Sequence, residues 1–182
     1  MRRRSFDKVL SVTGFVLAVF LLVLGALLMW GGMFAQNKVT AELTSQKVSF
    51  SSDAATLPPD LQQYAGQQVT SGPLARAYSD LIGVHLNGVA GGKTYSEVSE
   101  EWIAGGMKDA TLAQERTTLF MGETLRGMLL NAYGYWVFGT IALIGAWVSF
   151  AGALVLLILA ILGLGHLRKT PETAAVFEPV RV

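Results

Sequence analysis

The chain has 182 residues; 52% are hydrophobic and only 15% are charged, a balance too apolar for an ordinary soluble domain. A net charge of +1 argues against nucleic acid as a partner, which calls for a strongly basic face. With no cysteine in the chain, a disulfide framework and thiolate metal sites are excluded.

Residues 1–8 carry Arg2, Arg3, Arg4 and Lys8 ahead of an uncharged run, 9–34. A bilayer takes ~20 apolar residues to cross. A basic cytoplasmic N-terminus followed by transmembrane helix 1 is therefore expected. The run is longer than the core of a secretory signal, and Gly31-Gly32-Met33-Phe34-Ala35 lacks an A-x-A-like site, so an uncleaved anchor is expected. Helices in lipid approach closely through small residues, and Gly14, Ala18, Gly25 and Gly32 share one face here. Trp30 and Phe34 suit the outer interface, and helix is expected to continue to about Thr44.

Residues 35–130 are expected outside the cytoplasm. They hold seven basic and ten acidic side chains, which does not oppose that placement, because long segments translocate regardless of charge. Lys47 to Phe50 reads as a short extended piece and Leu57-Pro58-Pro59-Asp60 as a turn. Pro73 opens a helix with an apolar stripe at Leu74, Tyr78, Leu81, Ile82, His85 and Val89; Gly91 and Gly92 close it. Thr94 with Glu97 three residues on is a capping box. It starts a second helix with Tyr95, Val98 and Trp102 on one face, stopped at Gly105-Gly106. Asp109 caps a third, expected to run from Ala110 into the next apolar run without a turn signal. The expected core is Leu74, Tyr78, Leu81, Ile82, Val89, Val98, Trp102, Leu112 and Leu119.

Residues 131–166 form the expected transmembrane helix 2, with Gly145, Ser149 and Ala153 as its small-residue face. The simplest pairing sets that face against the one in the first span. From 133 to 165 the run would be about 50 Å of helix, against ~30 Å of hydrocarbon. Its outer part, with Tyr133, Tyr135 and Trp136, is expected to project above the lipid. Apolar surface in water must be covered, by the outer domain or by a partner. With Arg168 and Lys169 behind the run, the C-terminus is expected in the cytoplasm, and 167–182 reads as a disordered tail. The expected fold class is an all-α membrane protein: a two-helix transmembrane hairpin with a small extracytoplasmic helical domain continuous with both spans.

Few residues suggest chemistry. Gly88-Val-Ala-Gly-Gly-Lys93-Thr94 imitates a P-loop, but Asn87 stands where the first glycine is required, and a helix precedes it instead of a strand. The two histidines, His85 and His166, fall on opposite sides of the expected membrane, so a two-histidine metal site is not formed. No G-x-S-x-G is present. His85 lies on an apolar stripe and reads as a core histidine; with Tyr78 it is also the candidate ligand or pH site, since histidine titrates near neutrality. Glu123 and Arg126, three apart on a helix, can pair. There Arg126 either reaches lipid phosphate or fixes the register of an interface. Glu123, Arg126, Tyr133, Tyr135 and Trp136 are the candidate interaction residues.

Four stretches carry a resemblance: Tyr64-Ala-Gly-Gln-Gln-Val-Thr, Tyr78-Ser-Asp-Leu-Ile-Gly-Val-His85-Leu, Gly92-Lys-Thr-Tyr-Ser-Glu-Val-Ser99 and Phe120-Met-Gly-Glu-Thr-Leu-Arg-Gly-Met-Leu-Leu-Asn-Ala-Tyr133. Together they resemble a family of small actinobacterial membrane proteins with two spans and an outer helical segment. Its members often carry an automatic label, "aromatic ring-opening dioxygenase". The resemblance covers nearly the whole chain apart from the tail. It implies a bacterial cell-membrane protein and carries over no catalytic residue. The residues argue against the label, because extradiol cleavage needs two histidines and a carboxylate around one iron.

The resulting expectation is a non-enzymatic integral membrane protein, an accessory or assembly subunit in a cell-envelope complex. An extracytoplasmic ligand or lipid sensor without its own output domain is the alternative, and an enzyme of unrecognised type the third. No cofactor is expected. The expected partners are the lipid bilayer and another membrane protein or a second copy of this chain.

Overall fold

A computed structural model of the chain describes residues 3–167, and its regular elements are helical. They are α1 (Arg3–Ser45), α2 (Gly72–Val89), α3 (Tyr95–Ala104) and α4 (Ala110–Leu167), with short 3-10 turns at Ala54–Thr56 and Gln62–Tyr64. Helices α1 and α4 run 43 and 58 residues. Both are long and apolar enough to cross a membrane. The side chains of Arg2, Arg3 and Arg4, and everything from Arg168 onward, lie outside the described residues, and so do the expectations placed on them. The chain divides into two compact units.

In the first unit, residues 3–33 and 141–167 form an antiparallel helix pair. Gly14 faces Ala160, Leu21 faces Gly152, and Leu28 faces Gly145. The buried seam is Ser11, Ala18, Gly25 and Gly32 on α1 and Ala146, Ala153 and Ala160 on α4. Each series steps by seven residues, the period that keeps two helices in contact along a left-handed supercoil. Intramolecular pairing of the two small-residue faces is therefore what the structure shows. One correction concerns α4. Its seam is centred on Ala146, Ala153 and Ala160, while Gly145 only flanks it and Ser149 is half-buried. A four-residue step drifts off a seam that repeats every seven. Away from the seam the side chains point outward: Trp147 is 67% exposed, Leu154 62% and Phe20 60%.

The second unit, Phe34–Thr140, contains the ends of α1 and α4, all of α2 and α3, and the segment between Ser45 and Gly72. Its helices begin and end on local chemistry. The Thr94 hydroxyl accepts from the Glu97 amide at 3.3 Å, and the Glu97 carboxylate accepts from the Thr94 amide at 2.7 Å. Asp109 Oδ1 accepts from the amides of Thr111 and Leu112 at 2.8 and 3.1 Å, capping α4. After α3 the chain turns at Gly106, φ 71°, a region that costs a side chain energy. The Met107 amide then closes onto the Trp102 carbonyl at 2.9 Å, a Schellman ending.

The core has two parts. Phe50, Leu57, Leu61, Val69, Ala75, Ala77 and Leu81 form one cluster; Leu86, Ala90, Val98 and Leu119 form the other. Four members of the first cluster lie outside the helices. Of the expected Lys47 to Phe50 piece, Val48 to Phe50 is extended, while Lys47 is a turn residue with φ 55°: the Phe50 amide donates to Gln67 and the Val69 amide to Val48, at 2.9 and 2.8 Å. Phe50 stacks on Tyr64 and meets Tyr78 edge-on, with centroids 5.4 and 5.1 Å away. Of the expected core, Leu81, Val98 and Leu119 are buried, and Leu74, Tyr78, Ile82, Val89, Trp102 and Leu112 are half-buried.

Candidate functional site: an apolar groove

The second unit carries a groove of about 890 Å³. One wall is the end of α1, from Phe34 through Val39 to Leu43, with Gln46 just beyond it; facing it is α4, with Leu125, Met128, Leu129, Ala132 and Tyr135. Tyr78 and Ile82 of α2 and the paired extended residues Val48 and Val69 complete it. Only Lys38 and Glu42 bring charge. Their side chains are 65% and 64% exposed and meet at 2.9 Å, one turn apart on α1. The Lys38–Glu42 hydrogen bond, helped by their Coulomb attraction, holds the lysine pKa above its ordinary value and the glutamate pKa below its own.

The residues singled out from sequence are distributed differently from expectation. Tyr78 lines the groove, whereas His85 is exposed and lies outside it. The reading of His85 as a core histidine is corrected. Helix α2 instead buries Leu86, whose side chain sits where a Cβ on Gly122 would be. Packing against a glycine on α4 draws the buried face one residue past His85.

Glu123 and Arg126 do pair, with Nη1 donating to Oε1 and Oε2 at 2.8 and 3.1 Å. Arg126 Nε also donates to the Ser79 carbonyl at 3.2 Å. The guanidinium lies over Gly83, where a Cβ would stand 3.1 Å from its Cζ. Arg126 thus ties α4 to α2 inside the unit. Tyr133 and Trp136 are likewise used internally. The Arg76 guanidinium donates to the Tyr133 hydroxyl at 3.1 Å and lies 5.1 Å from the ring centre, and Trp136 packs on Gly72 so closely that no Cβ fits there. Tyr135 is 60% exposed and borders the groove. Sequence reasoning missed Lys38, Glu42, Leu43 and Leu129 as groove residues. The i, i+4 charge pair on a continuing helix was the available signal.

Among the described residues no three His, Cys, Asp or Glu side chains gather as a metal site would require. The groove is suited to holding an apolar body, with a charge pair at its lip. Fold and site together define a class: an all-helical chain with two helices apolar enough to cross a membrane and a helical unit bearing an apolar groove. No family model, curated protein or solved structure matches the chain.

Proposed function

We propose that the chain is a non-enzymatic, two-span protein of the bacterial cell membrane, with both termini cytoplasmic, whose extracytoplasmic helical unit binds a lipid-like ligand and passes the bound state to another membrane protein. The groove is the observation that carries this reading. Its volume of about 890 Å³ falls in the ~300–1,000 Å³ range of small-molecule sites, which are mostly apolar with a few placed polar groups. The membrane reading is supported by the outward-facing apolar residues of the first unit, such as Phe20 and Trp147. Soluble monomers rarely leave so continuous a surface uncovered. The basic flanks favour this orientation, and the resemblance to small actinobacterial membrane proteins favours the bacterial cell membrane.

The test is extraction of the full chain in mild detergent, followed by mass spectrometry of co-purified lipid. Wild type should retain near-stoichiometric lipid, and Ala132→Trp, which fills the groove, should lose it. Equal retention by both, or by neither, would refute the reading. An accessory role in a larger assembly is favoured by one observation: Met121, Leu125, Met128 and Tyr135 form an exposed row on one face of α4. In that case sizing should give a species heavier than the 19.5 kDa chain plus detergent.

A further inference from the structure

We infer that the ligand is a lipid of the outer leaflet that slides into the groove along α1, acyl chain first, and leaves its headgroup at the span-side mouth; this rests on the lipid-binding reading above. The groove is unequal at its two ends. Leu43, Val48, Val69, Tyr78 and Leu129 line it and pack into the Phe50 cluster. Val69 is 1% exposed and Phe50 3%. The Val69 amide is tied to the Val48 carbonyl at 2.8 Å, and Phe50 backs Tyr78 at 5.1 Å between ring centres. This end, at the close of α1, is deep, with Leu125 and Met128 as its exposed rim. The lining at the other end is Phe34, Ala35 and Tyr135, and Phe34 and Tyr135 are 59% and 60% exposed. Cover is therefore fullest at the deep end, and the most apolar part of a ligand gains most by lying there. A phosphate carried to that end would lose its water among Val48, Val69 and Ile82, a cost that calls for a charged partner.

The mouth lies where apolar surface arrives along the same helix. Phe20, Val23, Leu27, Trp30 and Phe34 step by three and four residues, so they share a face of α1, and each is more than half exposed. Phe34 ends that row and begins the groove lining. No charge interrupts the row, and Lys38 is the first charged residue beyond it. An acyl chain that follows the row meets apolar surface throughout. Arrival from water would expose each of its methylenes on the way, against the hydrophobic effect. The ligand class is thus a lipid with a flexible chain, already resident in the bilayer. Its bound chain points away from the bilayer interior, and its headgroup stays in reach of water at the mouth.

The experiment places the full chain in nanodiscs that carry phosphatidylcholine with a diazirine either at the end of one acyl chain or beside its carbonyl. After photolysis, labelled residues are mapped by mass spectrometry. In wild type the chain-end probe should label Val48, Val69 or Tyr78, and the carbonyl-side probe should leave those three unlabelled. Ala35→Trp narrows the mouth and leaves the deep end as it is. Chain-end labelling of the deep end should then be lost, while amide protection of α2 stays at the wild-type level. Deep-end labelling by the carbonyl-side probe as strong as by the chain-end probe overturns chain-first entry. Undiminished chain-end labelling in Ala35→Trp overturns entry by the mouth. Either result leaves the groove reading standing. A deep end that neither probe labels in wild type overturns the groove reading itself.

Discussion

Replacing Arg126 by alanine removes two interactions of unequal weight. The first is the hydrogen bond from Nε to the Ser79 carbonyl, 3.2 Å long and partly buried. Bonds from a charged donor contribute about 1.5–3 kcal/mol. The second is the ion pair with Glu123 at 2.8 Å, with side chains 30% and 49% exposed. A pair of that kind on a helix surface contributes about 0.2–0.5 kcal/mol. Arg126→Ala should therefore destabilise the Phe34–Thr140 unit by about 2–3 kcal/mol, and Glu123→Ala by no more than about 0.5 kcal/mol. Arg126→Lys keeps the charge but not the planar fork and should fall between them. The assay is thermal unfolding in detergent, with amide exchange of α2 as the local readout: its protection should fall in Arg126→Ala and hold in Glu123→Ala. If the two alanine variants cost the same, the tie to α2 is not what Arg126 contributes.

Phe50, 3% exposed between Tyr64 and Tyr78, should cost about 3–5 kcal/mol on truncation to alanine, measured by the same melts. Thr94→Ala should cost about 1 kcal/mol through loss of the cap. The Glu97 pKa is held below its ordinary value, first by the Thr94 amide and then by the Thr94 hydroxyl. A depressed carboxylate pKa means the unfolded chain binds the proton more tightly. This contribution is therefore complete above the ordinary glutamate value of about 4.3 and disappears as pH falls through the lower folded value. Exchange at α3 amides should show that loss in wild type and not in Glu97→Gln. Ala153→Leu overfills a seam residue that is 0% exposed, an insertion costing about 1–3 kcal/mol. A short thiol cross-linker between cysteines placed at Leu21 and Gly152 should capture the pair in the parent chain and fail in that variant.

Helix boundaries were readable from sequence because their causes are local. Thr94 with Glu97, Asp109, Pro73 and the glycine pairs act within one turn of where they stand, and the structure uses each of them. The packed residues of the 48–69 segment were not readable. Phe50, Leu57, Leu61 and Val69 follow neither a two-residue nor a 3.6-residue period, and they reach the core through 3-10 turns and one isolated bridge. His85 illustrates a subtler limit. Spacing alone allows either His85 or Leu86 on the buried face, and the choice is made by Gly122, 36 positions further along. The Arg126 contact was invisible for another reason: its acceptor is a backbone carbonyl, which every residue has. The groove is assembled from α1, α2, α4 and two extended residues, so no single stretch announces it.

The most direct test of the account is the placement of its groove outside the cell. The chain has no cysteine, so single cysteines can be introduced without background. Gln67→Cys and Ser5→Cys are both at exposed positions, one in the helical unit and one ahead of the first apolar run. With a membrane-impermeant maleimide on intact cells, Gln67→Cys should label fully and Ser5→Cys only after lysis. Labelling of Ser5→Cys on intact cells, or protection of Gln67→Cys, would contradict the account.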